Sequence, residues 1–148
     1  MSNSIVTMKA LFFDRAAVTG AVDRATRRAL SRFGAFVRQT ARRSLRTRTG
    51  SAPPGQPPHS HTGLVRRFIW FAYEPARSSV VIGPARLTGR GRGDAPSLLE
   101  HGGRAQRKAR GRGGGAYRPR YRPRPFMQPA FDTERARLPA LWADSVKR

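Results

Sequence analysis

Apolar residues return at spacings of three and four across the first third of the chain. Val18, Val22, Ala25, Ala29, Phe33, Phe36 and Val37 fall on one face at about 100° per residue, which predicts one long amphipathic helix over residues 14–46. Arg24, Arg28, Arg32, Arg38, Arg42 and Arg46 project from the opposite side. Asp14 suits the N-cap, and the stretch from Gly50 to Pro58 ends the helix. Gly20 weakens the first turns, so the start can slip to about Thr19. The pattern then changes. Leu64 to Tyr73 (LVRRFIWFAY) and Ser78 to Ala85 (SSVVIGPA) are rich in β-branched and aromatic residues and flank Glu74-Pro75-Ala76-Arg77, a β-hairpin with a four-residue connection. Near its end the first strand is apolar on both faces. Two covers are therefore needed, the long helix on one side and a further body such as a neighbouring subunit on the other. Ser97 to His101 (SLLEH) reads as a short third strand or a helical turn. Pro129 to Val146 predicts a second helix with Phe131, Leu138, Leu141, Trp142 and Val146 on its apolar side. Pro129 suits its first turn, and Pro139 should kink or split it.

Between these elements lie two segments of another kind. Residues 50–63 (GSAPPGQPPHSHTG) form a Pro-rich linker, expected to be extended, stiff and able to reach beyond the body of the domain. Residues 102–124 hold Arg104, Arg107, Lys108, Arg110, Arg112, Arg118, Arg120, Arg122 and Arg124, no acid, and a run of glycines at 113–115. A packed structure is not expected there; the segment reads as a basic arm or loop. No fixed-period repeat is visible. The fold class is α+β in a single domain of 148 residues: a long N-terminal amphipathic helix on a small antiparallel sheet, a C-terminal helix, an extended Pro-rich linker and a basic loop.

Charge dominates the functional reading. Thirty basic residues against eight acids leave +22, and only Lys9, Lys108 and Lys147 are lysines. Such a surplus calls for a polyanion or an acidic protein surface. Arginine's planar fork suits bidentate contact with phosphate or carboxylate, although a GC-rich genome produces the same bias. Arginines four apart on one helix face repel by a few tenths of a kcal/mol per pair, a cost relieved by an anion or simply by solvent. The candidate contacts for nucleic acid or an acidic partner are Arg24, Arg28, Arg32, Arg38 and Arg42 on the helix, with Arg104, Arg107, Lys108, Arg110, Arg112, Arg118, Arg120 and Arg122 in the loop. Tyr117 and Tyr121, interleaved with Arg118, Arg120 and Arg122, resemble nucleic-acid-binding segments in which tyrosines stack and arginines hold phosphates. No helix-turn-helix, zinc-finger or bZIP pattern is present, so nucleic-acid binding would be nonspecific.

Other chemistry finds little support. His59, His61 and His101 lack a spaced set of acids or cysteines for a metal site, and the expectation is no cofactor and no metal. Neither a nucleophile elbow, nor a P-loop, nor a carboxylate pair appears, so an enzyme is not expected. The Arg92-Gly93-Asp94 tripeptide and the Pro54/Pro57 spacing are short enough to arise by chance. No run reaches the ~18 apolar residues of a membrane span, and the N-terminal MSNSIVTMKALFF has no basic segment ahead of its apolar stretch. The chain is expected to be neither secreted nor membrane-embedded, and its lack of cysteine fits a reducing setting.

Several segments, taken in order, resemble a family of small neck proteins of long-tailed bacteriophages, the head-to-tail joining or tail-completion proteins. They are FFDR at Phe12 to Arg15, PGQPPHSHTGL at Pro54 to Leu64, RRFIWFAY, SVVIGP at Ser79 to Pro84, LLEHGG at Leu98 to Gly103, RPFMQPAF at Arg124 to Phe131, and LPALWADSV. The likeness spans nearly the whole chain, apart from the basic insertion between LLEHGG and RPFMQPAF. It implies a structural subunit of a homo-oligomeric, hexameric ring in the virion, made in the host cytoplasm. Such a ring sits between the head connector and the tail terminator, with phage double-stranded DNA in its lumen. Pro54, Pro57, Pro58 and His61 on the linker and Leu64 just after it, with Phe126 and Met127, are then the candidates for contact with neighbouring subunits, the last two also packing at the start of the final helix. The competing class is a nonspecific nucleic-acid-binding basic protein of ribosomal or nucleoid type.

Overall fold

A computed structural model describes residues 14–85, 95–108 and 115–145. Helix α1, Arg15–Ser44, opens at Asp14, whose Oδ1 accepts from the Ala17 amide at 2.9 Å. Its inward stripe is Ala25, Ala29, Phe33, Val37 and Ala41, joined by Thr26 and Gly34. Val18 and Val22, predicted on that stripe, are instead 44% and 54% exposed. The physical reason is length: thirty residues at about 1.5 Å each span about 45 Å, and the buried positions begin only at Ala25.

The hairpin consists of β1, Ile69–Glu74, and β2, Ser79–Pro84, paired antiparallel with Ile69 opposite Pro84 and Glu74 opposite Ser79. A 3-10 turn at Pro75–Arg77 and a left-handed Ser78 make the connection. Ile69, Phe71 and Tyr73 face α1 together with Val80 and Ile82. The helix comes close because residue 34 is glycine: a Cβ there would stand 2.9 Å from both the Phe71 ring and a Val80 methyl. Gly34→Ala gains up to about 1 kcal/mol of helix propensity and loses about 1–3 to overpacking. The net expectation is a lower melting temperature, lower still for Gly34→Val; a melt at or above wild type for both would contradict the close approach.

The first strand is shorter than predicted. Leu64–Arg67 is a helical turn, α2, entered through left-handed Gly63. Strand alternation would turn one of Arg66 and Arg67 inward, whereas the turn leaves both exposed and half-buries Leu64 and Val65. Residues 97–101 fall in helix α3, Ala95–His101, which ends on left-handed Gly102, whose amide donates to the Leu98 carbonyl at 2.9 Å. The C-terminal helix divides, as Pro139 led one to expect, into α4, Met127–Arg135, and α5, Leu138–Ser145.

Phe33, Val37, Ala41 and Leu45 of the α1 stretch, with Ile69, Phe126 and Ala130, form the buried core. Phe131 adds an edge-on contact with Phe33, ring centroids 5.6 Å apart. Glu134, only 4% exposed, ties α4 to α1: its Oε1 accepts from Thr40 Oγ1 at 2.6 Å, and Oε2 has the Arg137 guanidinium 3.2 Å away without hydrogen-bond alignment.

The Pro-rich linker lies against the body, contrary to the reaching arm that its composition predicts. Gly55 N donates to the Pro123 carbonyl at 3.0 Å, Arg124 Nε to the Ala52 carbonyl at 2.8 Å, and Ser60 N to the Arg46 carbonyl at 3.0 Å. Ala52, Pro58 and Ser60 are buried. A stiff proline segment has little conformational entropy to lose on docking, so a few such bonds hold it.

Candidate functional surfaces

The described parts of the basic segment after α3 pair as strands, where a loop was expected. Its strands are β3, Gly103–Arg104; β4, Arg107–Lys108; β5, Ala116–Tyr117; and β6, Arg120–Tyr121. Gly103 pairs with Tyr121, Arg104 with Arg120, Arg107 with Tyr117 and Lys108 with Ala116. Each pair of residue numbers sums to 224, so one register runs through both ladders. Between them Ala105 N donates to the Pro119 carbonyl at 3.3 Å in the same register. Pro119 has no amide to return the bond, which interrupts the ladder without ending the ribbon. Residues 103–108 and 116–121 thus pair as one antiparallel ribbon; Arg110 and Arg112 lie outside the described residues.

Alternation sorts its side chains. Ala105, Arg107, Tyr117, Pro119 and Tyr121 share one face, and the Arg107 guanidinium lies over the Tyr121 ring at 5.5 Å. Arg104, Gln106, Ala116, Arg118 and Arg120 share the other, all exposed. The tyrosines and the arginines that sequence reading set together are therefore on opposite sides of the ribbon. Arg122 is exposed just beyond it.

The ribbon is rooted by residues 122–126. Arg124 N donates to the Leu99 carbonyl at 2.7 Å, and the Phe126, Met127 and Gln128 amides converge on Glu100 at 2.9, 3.0 and 2.8 Å. At Gly102, with φ of 70°, an added Cβ would meet the Tyr121 carbonyl at 2.8 Å and Pro123 N at 2.9 Å. Sequence reading missed the part Glu100 plays as acceptor for these amides. The available signal was a helix start at RPFMQP with no capping residue before it, which requires an acceptor from elsewhere.

The helix arginines do not form one solvent stripe. Arg24 and Arg32 are exposed, Arg38 and Arg42 half-buried. Arg28 Nη2 donates to the Ser145 carbonyl at 2.8 Å, satisfying the C-terminal end of α5. Arg38 Nε donates to the Ile69 carbonyl at 2.8 Å and its guanidinium covers the Trp70 ring at 5.5 Å. Each thus ties one guanidinium nitrogen to a carbonyl within the fold.

A second surface is apolar. The outer face of the hairpin carries Trp70, Ala72 and Val81, with Trp70 55% and Val81 61% exposed. On the far side of β2 a cleft of about 450 Å³ is lined by Val37, Ile82, Pro96, Glu100, Met127 and Phe131, among others. Of the residues predicted for subunit contact, Pro54 and His61 are exposed, Pro57, Leu64 and Met127 half-buried, and Pro58 buried. Phe126 is 1% exposed and belongs to the chain's own core, which removes it from any interface.

His59 Nδ1 lies 3.2 Å from the Gly50 carbonyl, and no group of three metal-ligating side chains occurs among the described residues. Arg92-Gly93-Asp94 falls outside them. No helix among the described residues is long and apolar enough to cross a membrane. No protein-family model, curated protein or solved structure matches the chain.

Proposed function

We propose that the chain is a structural subunit of a ring in the neck of a long-tailed bacteriophage, joining head connector to tail and letting DNA pass. The ordered segments that resemble neck proteins supply the class. The observation that carries it is the outer hairpin face, where Trp70 and Val81 keep more than half their surface in water although the Arg38 guanidinium lies over the Trp70 ring. A two-stranded sheet is marginal alone, and contiguous exposed apolar groups beside a strand edge mark a contact surface. The cleft bordered by Ile82, Met127 and Phe131 is a different surface of the same chain. Two unlike surfaces on one subunit are what a head-to-tail contact requires, and such contacts close into rings when the rotation allows. In this reading Trp70 of one copy enters the cleft of the next.

Cryo-electron microscopy of virions carrying a tagged copy tests the proposal: the expected result is subunit density in a ring at the neck, and its absence there overturns it. A Trp70→Asp variant extends the test. Because Trp70 is largely exposed, the isolated chain should melt within about 1 kcal/mol of wild type. Particles made with it should accumulate as unjoined heads and tails. Normal joining by a folded Trp70→Asp chain would remove this face from the contact.

A further inference from the structure

The ribbon carries a partner-specific inference. Its Arg104–Gln106–Arg118–Arg120 face, which Ala116 shares, holds three guanidinium groups, no acid and no apolar side chain larger than alanine among the described side chains, and all four residues are exposed. Arg104 and Arg120 are directly opposed across the strands, an arrangement that costs stability unless an anion lies over the pair. Arg118 and Arg120 stand two residues apart, about 6.8 Å along the strand, twice the ~3.4 Å axial spacing of phosphates on each strand of a duplex. A protein partner is the poorer fit. Interface cores between proteins are depleted of charge and built on apolar anchors, and this face has none. A two-stranded β-ribbon is also of a width that the major groove of DNA admits.

We infer that this ribbon is a nonspecific clamp on double-stranded DNA, in which Arg104, Arg118 and Arg120 hold backbone phosphates while the Tyr117–Tyr121 face points away from them. The inference rests on the reading that DNA passes the subunit, and it names which of the thirty basic residues meet it. Separation of the two faces has a consequence for mode. Bases do not stack on these tyrosines while the arginine face holds the backbone, so single strands gain nothing over duplex. Specificity for sequence is absent because the Arg face meets phosphates and no base edge is required.

The test is titration of the full chain against a short mixed-sequence duplex by fluorescence anisotropy, repeated between about 50 and 200 mM salt. Three chains are compared: wild type, Arg104→Gln/Arg118→Gln/Arg120→Gln, and a control of equal charge loss, Arg27→Gln/Arg66→Gln/Arg135→Gln, whose positions are exposed elsewhere on the surface. Each phosphate contact contributes roughly 0.9 to the slope of log affinity against log salt. The ribbon variant should lose about 2.7 from that slope while the control loses less than about 1. Equal losses in both variants, or wild-type binding to polyglutamate but not to duplex, overturns the clamp. Tighter binding of a single strand than of duplex, abolished by Tyr117→Ser/Tyr121→Ser, also overturns it. The neck reading is judged separately by the virion images, since a ring can form with a ribbon that ignores DNA, and a ribbon can hold DNA in a chain that forms no ring.

Discussion

Phe126→Ala should destabilise the isolated chain by about 3–5 kcal/mol, a large part of the ~5–15 kcal/mol that holds a domain of this kind together. The ring is 1% exposed and is the largest fully buried side chain among the described residues, ahead of Leu45, Ile69 and Val37. With so few large residues inside, the cavity has little around it that can collapse to fill it. In thermal denaturation a loss of this size corresponds to a fall of about 10 °C. Phe126→Leu, which keeps most of the volume, should cost less than about 1.5 kcal/mol. The comparison also decides between two roles. A residue reserved for a neighbouring subunit would leave the melting of the lone chain unchanged on truncation and damage only assembly. An unchanged melt for Phe126→Ala would therefore return this side chain to the interface and undo the core described above.

Local signals were legible in the chain and tertiary ones were not. Asp14 as N-cap, the i, i+4 row from Ala25 to Val37, the four-residue hairpin connection and the break at Pro139 each depend on a few neighbouring residues. Val18 and Val22 obey the same periodicity yet are exposed, because periodicity says which face of a helix is apolar and not how far the body beneath it extends. Arg28 and Arg38 follow the polar spacing but end on carbonyls of α5 and β1, partners 117 and 31 residues away that no local pattern encodes. Gly34 reads as a weak helix residue until the strands it admits are in place. The ribbon was legible in part. Tyr117-Arg118-Pro119-Arg120-Tyr121-Arg122 alternates with period two, the mark of a strand, and its glycines and lack of aliphatic residues disguised it as a loop. Reading that alternation would have separated the tyrosines from the arginines at once.

Glu100→Gln is expected to have the second largest effect, about 2–3 kcal/mol, through the start of α4 and the root of the ribbon together. Phe126 precedes the helix without a side-chain cap, so the amides at 126, 127 and 128 have no acceptor of their own, and Pro129 has no amide to satisfy. Both carboxylate oxygens of Glu100 are committed to them, Oε2 to Phe126 and Met127 and Oε1 to Gln128. A negative charge at this place also meets the positive end of the helix dipole. Glutamine keeps one acceptor, loses the charge and turns an NH2 donor toward other donors, so at least one amide is left facing another N–H. Glu100→Asp keeps the charge but is one methylene shorter, and should fall between the two in melting temperature. Hydrogen exchange gives the sharper reading, because a lost acceptor should speed exchange at Met127 and Gln128 more than at core amides that report only the overall loss of stability. Arg124, whose amide is held by the adjacent Leu99 carbonyl, should exchange faster as well, because α3 grips residues 124–128 as one unit. If Glu100→Gln melts with wild type and those amides stay protected, the carboxylate is not what fixes the ribbon to the body, and the clamp on DNA would have to hold its arginines in register by the strand pairing alone.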